Sequence, residues 1–96
     1  MKPRESGITE RAAKLLRSRG HLVRKLHGSV FSVKGDPDLY GARRPDGRAF
    51  AVEMKAPGEQ PSELQHKRLA EWAEAGAVTG WATSPDEALA IVEQRQ

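Results

Sequence analysis

The stretch GDPDLYGARRPDGRAFAVEMKA, residues 35–56, reads as a β-hairpin with acidic groups at one end. Its strands run from Asp38 to Arg43 and from Arg48 to Lys55, joined by Arg44-Pro45-Asp46-Gly47, an order of residues that a tight turn favours. Asp46 therefore belongs to the turn and is no candidate acid. Pro37 removes a ladder donor and marks the start of the first strand. In the second strand Phe50, Val52 and Met54 point one way, while Ala51, Glu53 and Lys55 point the other, because successive side chains in a strand alternate. Glu53 and Lys55 thus share a face, and an ion pair is a poor core filler. With Asp38 on the neighbouring strand, two carboxylates and a cation form a plausible site for a divalent metal and a phosphate.

Helices frame the hairpin. The first is expected from about Pro3 or Ser6 to Arg19, with Gly20 as its stop. Ile8, Ala12, Leu15 and Leu16 make its apolar stripe, and Arg11, Lys14 and Arg17 leave from the other side. Glu5 falls in line with Ile8, Ala12 and Leu16, whereas Glu10 points away. Glu5 is then either a first-turn carboxylate favoured by the helix dipole or a group aimed at the site. A short strand follows at His21–Leu26, then a further extended segment or packed loop around Val30, Phe31 and Val33.

Beyond the hairpin, Ser62 and Gln65 have capping-box spacing, so a helix should run from Ser62 to about Ala75 and end at Gly76. Gln65, Leu69 and Trp72 lie on its inward stripe. Val78–Thr83 reads as a strand weakened by Gly80, and Ser84-Pro85-Asp86-Glu87 opens a last helix. Helix, strand, hairpin, helix, strand, helix is the pattern of a small α/β fold, a mixed sheet flanked by helices.

At 96 residues the chain holds one modest core, and oligomerisation is a reasonable expectation. It has no cysteine, which excludes disulfides and thiolate metal sites and fits a reducing cytoplasm. No apolar run approaches the roughly 20 residues of a membrane span, and no signal-peptide pattern is present. Residues 1–48 hold twelve Lys and Arg against five acids, a charge of +7, while residues 49–96 hold four against eight, a charge of −4. A basic first half suits either a polyanionic partner, most commonly nucleic acid, or a solvated basic face. Arg24, Lys25 and Lys34 are the phosphate contacts to consider, against a reading as general surface charge. His21 and His27 lack ligand spacing and read as surface or phosphate-adjacent groups. Trp72 and Trp81 read as core or dimer contacts.

Three blocks, Gly35-Asp36-Pro37-Asp38-Leu39, Phe50-Ala51-Val52-Glu53-Met54-Lys55 and Pro61-Ser62-Glu63-Leu64-Gln65, occur in order and at compatible distances. Together they resemble the PD-(D/E)XK nuclease superfamily and, within it, the virus-type replication-repair nucleases called VRR-NUC, over most of the chain. The resemblance implies a restriction-endonuclease-like core in the order αβββαβ plus a C-terminal helix, comprising residues 1–96. It implies that Asp38 and Glu53, with the backbone carbonyl of Met54, bind Mg²⁺ or Mn²⁺, that Lys55 is the catalytic lysine, and that Gln65 positions water or phosphate. It also implies an acid on the first helix. Glu5 fits by position, with Glu10 as competitor and Gly7 interrupting the helix beside Glu5. Stand-alone members look like dimeric, phage-type Holliday junction resolvases, which implies branched DNA as partner, a homodimer, and the cytoplasm of a bacterial or phage-infected cell.

Overall fold

The computed structural model describes residues 4–26 and 32–94. Pro3, His27, Val30 and Phe31, named above, lie outside the described residues. The elements come in the order α1 (Glu5–Ser18), β1 (Leu22–Lys25), β2 (Leu39–Ala42), β3 (Ala49–Met54), α2 (Glu63–Glu74), β4 (Val78–Ala82) and α3 (Pro85–Val92). They form one four-stranded sheet in the order β1-β2-β3-β4. The first two pairings are antiparallel, and β3 runs parallel to β4, with α2 as the connection between them. The sequence-derived order of elements is the observed one.

Register assigns the faces. Phe50 lies opposite Gly41 and Val78, Val52 opposite Leu39 and Gly80, and Met54 opposite Ala82. These residues join Ile8, Ala12, Ala13, Leu16, Val23, Ala88 and Val92 in the core, so α1 and α3 cover this side. Each large apolar side chain buried here contributes about 1.5–3 kcal/mol. The other side holds Ala51, Glu53, Thr79 and Trp81, with α2 over β3 and β4.

Two glycines are required by close packing. A Cβ on Gly41 would sit 1.8 Å from the carbonyl oxygen of Leu22, so only glycine lets β1 and β2 pair there. A Cβ on Gly80 would sit 2.8 Å from Cδ1 of Ile91. Gly80 therefore seats α3 against β4; it is a packing requirement of that strand, where local propensity alone reads it as a weakness.

Several element ends differ from expectation. Ser6 is inside α1; the N-cap is Arg4, with no side-chain cap bond. Val33 is not in a strand and is exposed. The two predicted caps of the second half are present: Ser62 and Gln65 close a full capping box, and the Ser84 hydroxyl accepts from the N–H of Glu87. Asp46 is turn chemistry, as expected: its carboxylate accepts from Arg43 and from the backbone N–H of Arg48.

His21 is the clearest reversal. It is buried, not a surface group; its Nδ1 accepts from the N–H of Arg44 at 2.9 Å and its Nε2 lies 2.8 Å from Oε2 of Glu93. Arg19 grips the same carboxylate at 2.9 and 3.0 Å. Nearby, Arg43 donates to the carbonyls of Val92 and Gln94. These contacts tie the C-terminal end of α3 to the sheet, at the end away from Asp38 and Glu53, and those of Arg19 and His21 converge on Glu93, 72 residues from His21 along the chain.

Candidate active site

The site is built where β2 begins and β3 ends. Pro37 is buried and delivers the chain into β2. Asp38 is pinned twice: its backbone carbonyl accepts from the N–H of Leu26 at 2.8 Å, continuing the β1–β2 ladder, and its Oδ2 accepts from the N–H of Met54 at 2.8 Å. The second bond sets the carboxylate across the end of β3. Gly35 has φ of +85°, and a Cβ there would meet Leu64 of α2 at 2.8 Å, so the glycine serves both a left-handed turn and a close approach. Arg68 of α2 donates to the carbonyl of Lys34 and bonds Glu71, fastening the same loop from above.

Glu53 is 1% exposed, and neither of its side-chain oxygens has a hydrogen-bond partner. Its neighbour is Asp38, and two ionised carboxylates are both acceptors, so they can bond only by sharing a proton. Burial, then the Asp38 carboxyl, drive the Glu53 pKa up to about 9; Lys55 opposes this and Glu5 adds to it. Lys55 follows the last residue of β3, its N–H held by the carbonyl of Ala82 at 2.9 Å, and its side chain is half-buried.

The two first-helix acids have different surroundings. Glu5 feels the charges of Lys55, Asp38 and Glu59, and partial burial is the largest cause of its raised pKa. Glu10 is exposed and paired with Lys25. Glu5 thus lies within the field of Asp38 and Lys55, whereas Glu10 is engaged by Lys25. Gly7 does not interrupt α1.

Gln65 stands in the first turn of α2, with its Oε1 accepting from the N–H of Ser62 and its own N–H donating to the Ser62 hydroxyl. Its oxygen is committed to the cap. Among the basic residues, Lys25 is neutralised by Glu10, Arg24 is exposed and donates to the carbonyl of Val23, and Lys34 is exposed on the loop that Arg68 holds. Glu59 escaped the sequence reading. The signal available was its place in the loop directly after Lys55, which returns the chain to the site.

Among the described residues no three acidic or histidine side chains crowd one point closely enough to form a cation cage by themselves. The pair Asp38 and Glu53 nonetheless fits a small divalent cation, because Mg²⁺ takes one or two carboxylates and keeps several waters. A buried carboxylate with no donor, next to a second one, is destabilising until a positive charge or a proton is supplied.

An acidic pair and a lysine at one end of the two central strands of a mixed sheet, with helices on both faces, match the PD-(D/E)XK-type core that the sequence resembles. A solved structure described as "VRR_NUC domain" matches with a TM-score of 0.74 and 26% identity, over 96% of this chain and 97% of the other. Over nearly its whole length the chain is therefore similar to a VRR-NUC domain, in fold and in the order of its elements. No protein-family model and no curated protein matches it.

Proposed function

We propose that this protein is a Mg²⁺- or Mn²⁺-dependent DNA endonuclease that hydrolyses phosphodiesters, with four-way junctions as its preferred substrate. The observation carrying the reading is the donorless Glu53 carboxylate beside Asp38, with Lys55 and Glu5 around them. Asp38, Glu53 and the carbonyl of Met54 are the groups that would hold the metal. When bound, the cation supplies Lewis-acid polarisation of the phosphate and a more acidic water.

The chain's own residues do the rest. The Met54 N–H holds Asp38 in place, so its carboxylate needs little reorganisation when substrate arrives. Lys55 orients or deprotonates the attacking water, or stabilises the charge that builds on the phosphorus oxygens. Glu5 adds negative potential that favours a cation at the site. Gln65 holds the start of α2, and its amide nitrogen is the group that can meet water or phosphate. A vestigial binding module has no use for a buried, donorless carboxylate, and such a group is costly to keep.

The junction reading calls for a homodimer. A symmetric four-way junction needs two cuts, and a homodimer presents two sites. The test is cleavage of a four-way junction, a flap, a splayed arm and a linear duplex side by side with Mg²⁺ or Mn²⁺. Paired symmetric cuts at the junction, lost in D38N and in Lys55→Ala, are the expected result. Cleavage that D38N retains removes the catalytic assignment, and preference for flap or plain duplex removes the resolvase.

A further inference from the structure

Of the three helices, α1 has the most cationic solvent face. The outer side of α2 mixes Lys67 and Arg68 with Glu63, Glu71 and Glu74, and α3 carries only acids. On α1 a groove of about 350 Å³ is lined by Glu10, Arg11, Lys14 and Arg17. Glu10 and Lys14 stand at i and i+4, the spacing at which a glutamate normally pairs with the lysine one turn on. Here the Glu10 carboxylate is taken by Lys25 from β1. Arg11, Lys14 and Arg17 have no carboxylate partner among the described residues, so the groove presents three uncompensated cations.

The groove spans most of α1. Arg11 folds back over Gly7, where a Cβ would meet its Nη1 at 3.4 Å, so its charge reaches toward the N-terminal end of the helix, on the side opposite to Glu5. Arg17 is steadied at the far end by donating to the carbonyl of Val23 at 3.1 Å. Arg11 to Arg17 rises about 9 Å along the helix, a span that matches two or three phosphates at roughly 3.4 Å per nucleotide of one strand.

We infer that a DNA duplex arm leaving the active site lies along the outer face of α1, its backbone phosphates held by Arg11, Lys14 and Arg17. This rests on the nuclease reading and adds a surface that the sequence reading placed instead on Arg24, Lys25 and Lys34. Phosphate contacts of this kind set the orientation of the duplex and carry no base preference.

Salt-dependent binding of a fluorescently labelled four-way junction to the D38N protein tests it. Replacing both residues (R11A with K14A) should weaken binding about tenfold near 100 mM salt and lower the slope of log K against log salt by about 2. The charge-keeping pair R11K with K14R should restore both, and K67A on α2 should change neither. Thermal melting checks that each variant is folded. An unchanged slope in R11A/K14A, while the wild type still cleaves DNA, overturns the groove and leaves the nuclease standing. A wild type that neither binds nor cleaves any DNA overturns the nuclease reading and the groove with it.

Discussion

The Oδ2 of Asp38 accepts a hydrogen bond from the backbone N–H of Met54 at 2.8 Å, so the strand that carries Glu53 also orients the carboxylate facing it. One backbone donor thereby holds the Asp38 carboxylate beside Glu53. The register brings the two residues together, and the Met54 N–H selects the Asp38 rotamer that faces Glu53.

Asp38→Asn keeps an oxygen for the Met54 N–H, so the variant should fold and melt close to the wild type. It lacks the full negative charge that a divalent cation needs. Metal-dependent cleavage should fall by roughly 100-fold or more, since even partners behind a ligand cost 10–100-fold when removed. Single-turnover cleavage together with thermal melting checks both halves of this expectation.

Glu53 makes the metal-free protein sensitive to alkali. Its folded pKa, about 9, lies above the ordinary 4.5, so the folded state holds its proton more tightly than the unfolded chain does. Stability from this group is fully present below about pH 4.5 and is lost as pH rises towards 9. In EDTA the melting temperature should decline across that window, and Glu53→Gln should flatten the decline. Added Mn²⁺ should raise the melting temperature of the wild type more at pH 8 than at pH 5.5, and should do little for the glutamine variant.

The opposite sign holds at the far end of the sheet. The Arg19 guanidinium, then His21, hold Glu93 down to about 2, from an ordinary value of 4.5. Its contribution is present above pH 4.5 and is lost as pH falls towards 2. Glu93→Gln should therefore lower the melting temperature at pH 7 and make the acid limb of the stability profile shallower. Melts recorded every half pH unit from 2.5 to 7 decide it.

Gly41→Ala should be among the most damaging single methyl additions in the chain. The new Cβ would overlap the Leu22 carbonyl, and backbone cannot step aside as a flexible side chain can. A loss of more than about 4 kcal/mol, or no cooperative unfolding transition, is expected, which places it with the exceptional single substitutions. Gly47→Ala is the comparison: its Cβ meets nothing within 4 Å, and only the φ of +73° penalises it. That variant should lose about 1–2 kcal/mol. Chemical denaturation of the two side by side gives the contrast.

Much of this protein is legible along the chain because its signals are local. The alternation of Phe50, Val52 and Met54, the Ser62–Gln65 box, the Ser84-Pro85 helix start and the Asp46 turn each depend on neighbours a few residues apart. They specify the element order and bring Asp38, Glu53 and Lys55 to one end of a hairpin. Tertiary structure decided what depends on distant partners. It buried Glu53 without a donor, paired Glu10 with Lys25 while leaving Glu5 in the field of Asp38 and Lys55, and turned His21 from a surface residue into a buried link to Glu93. It also made Gly80 the seat of Ile91. Periodicity encodes which way a side chain points, but burial and charge pairing depend on what another part of the chain places opposite it.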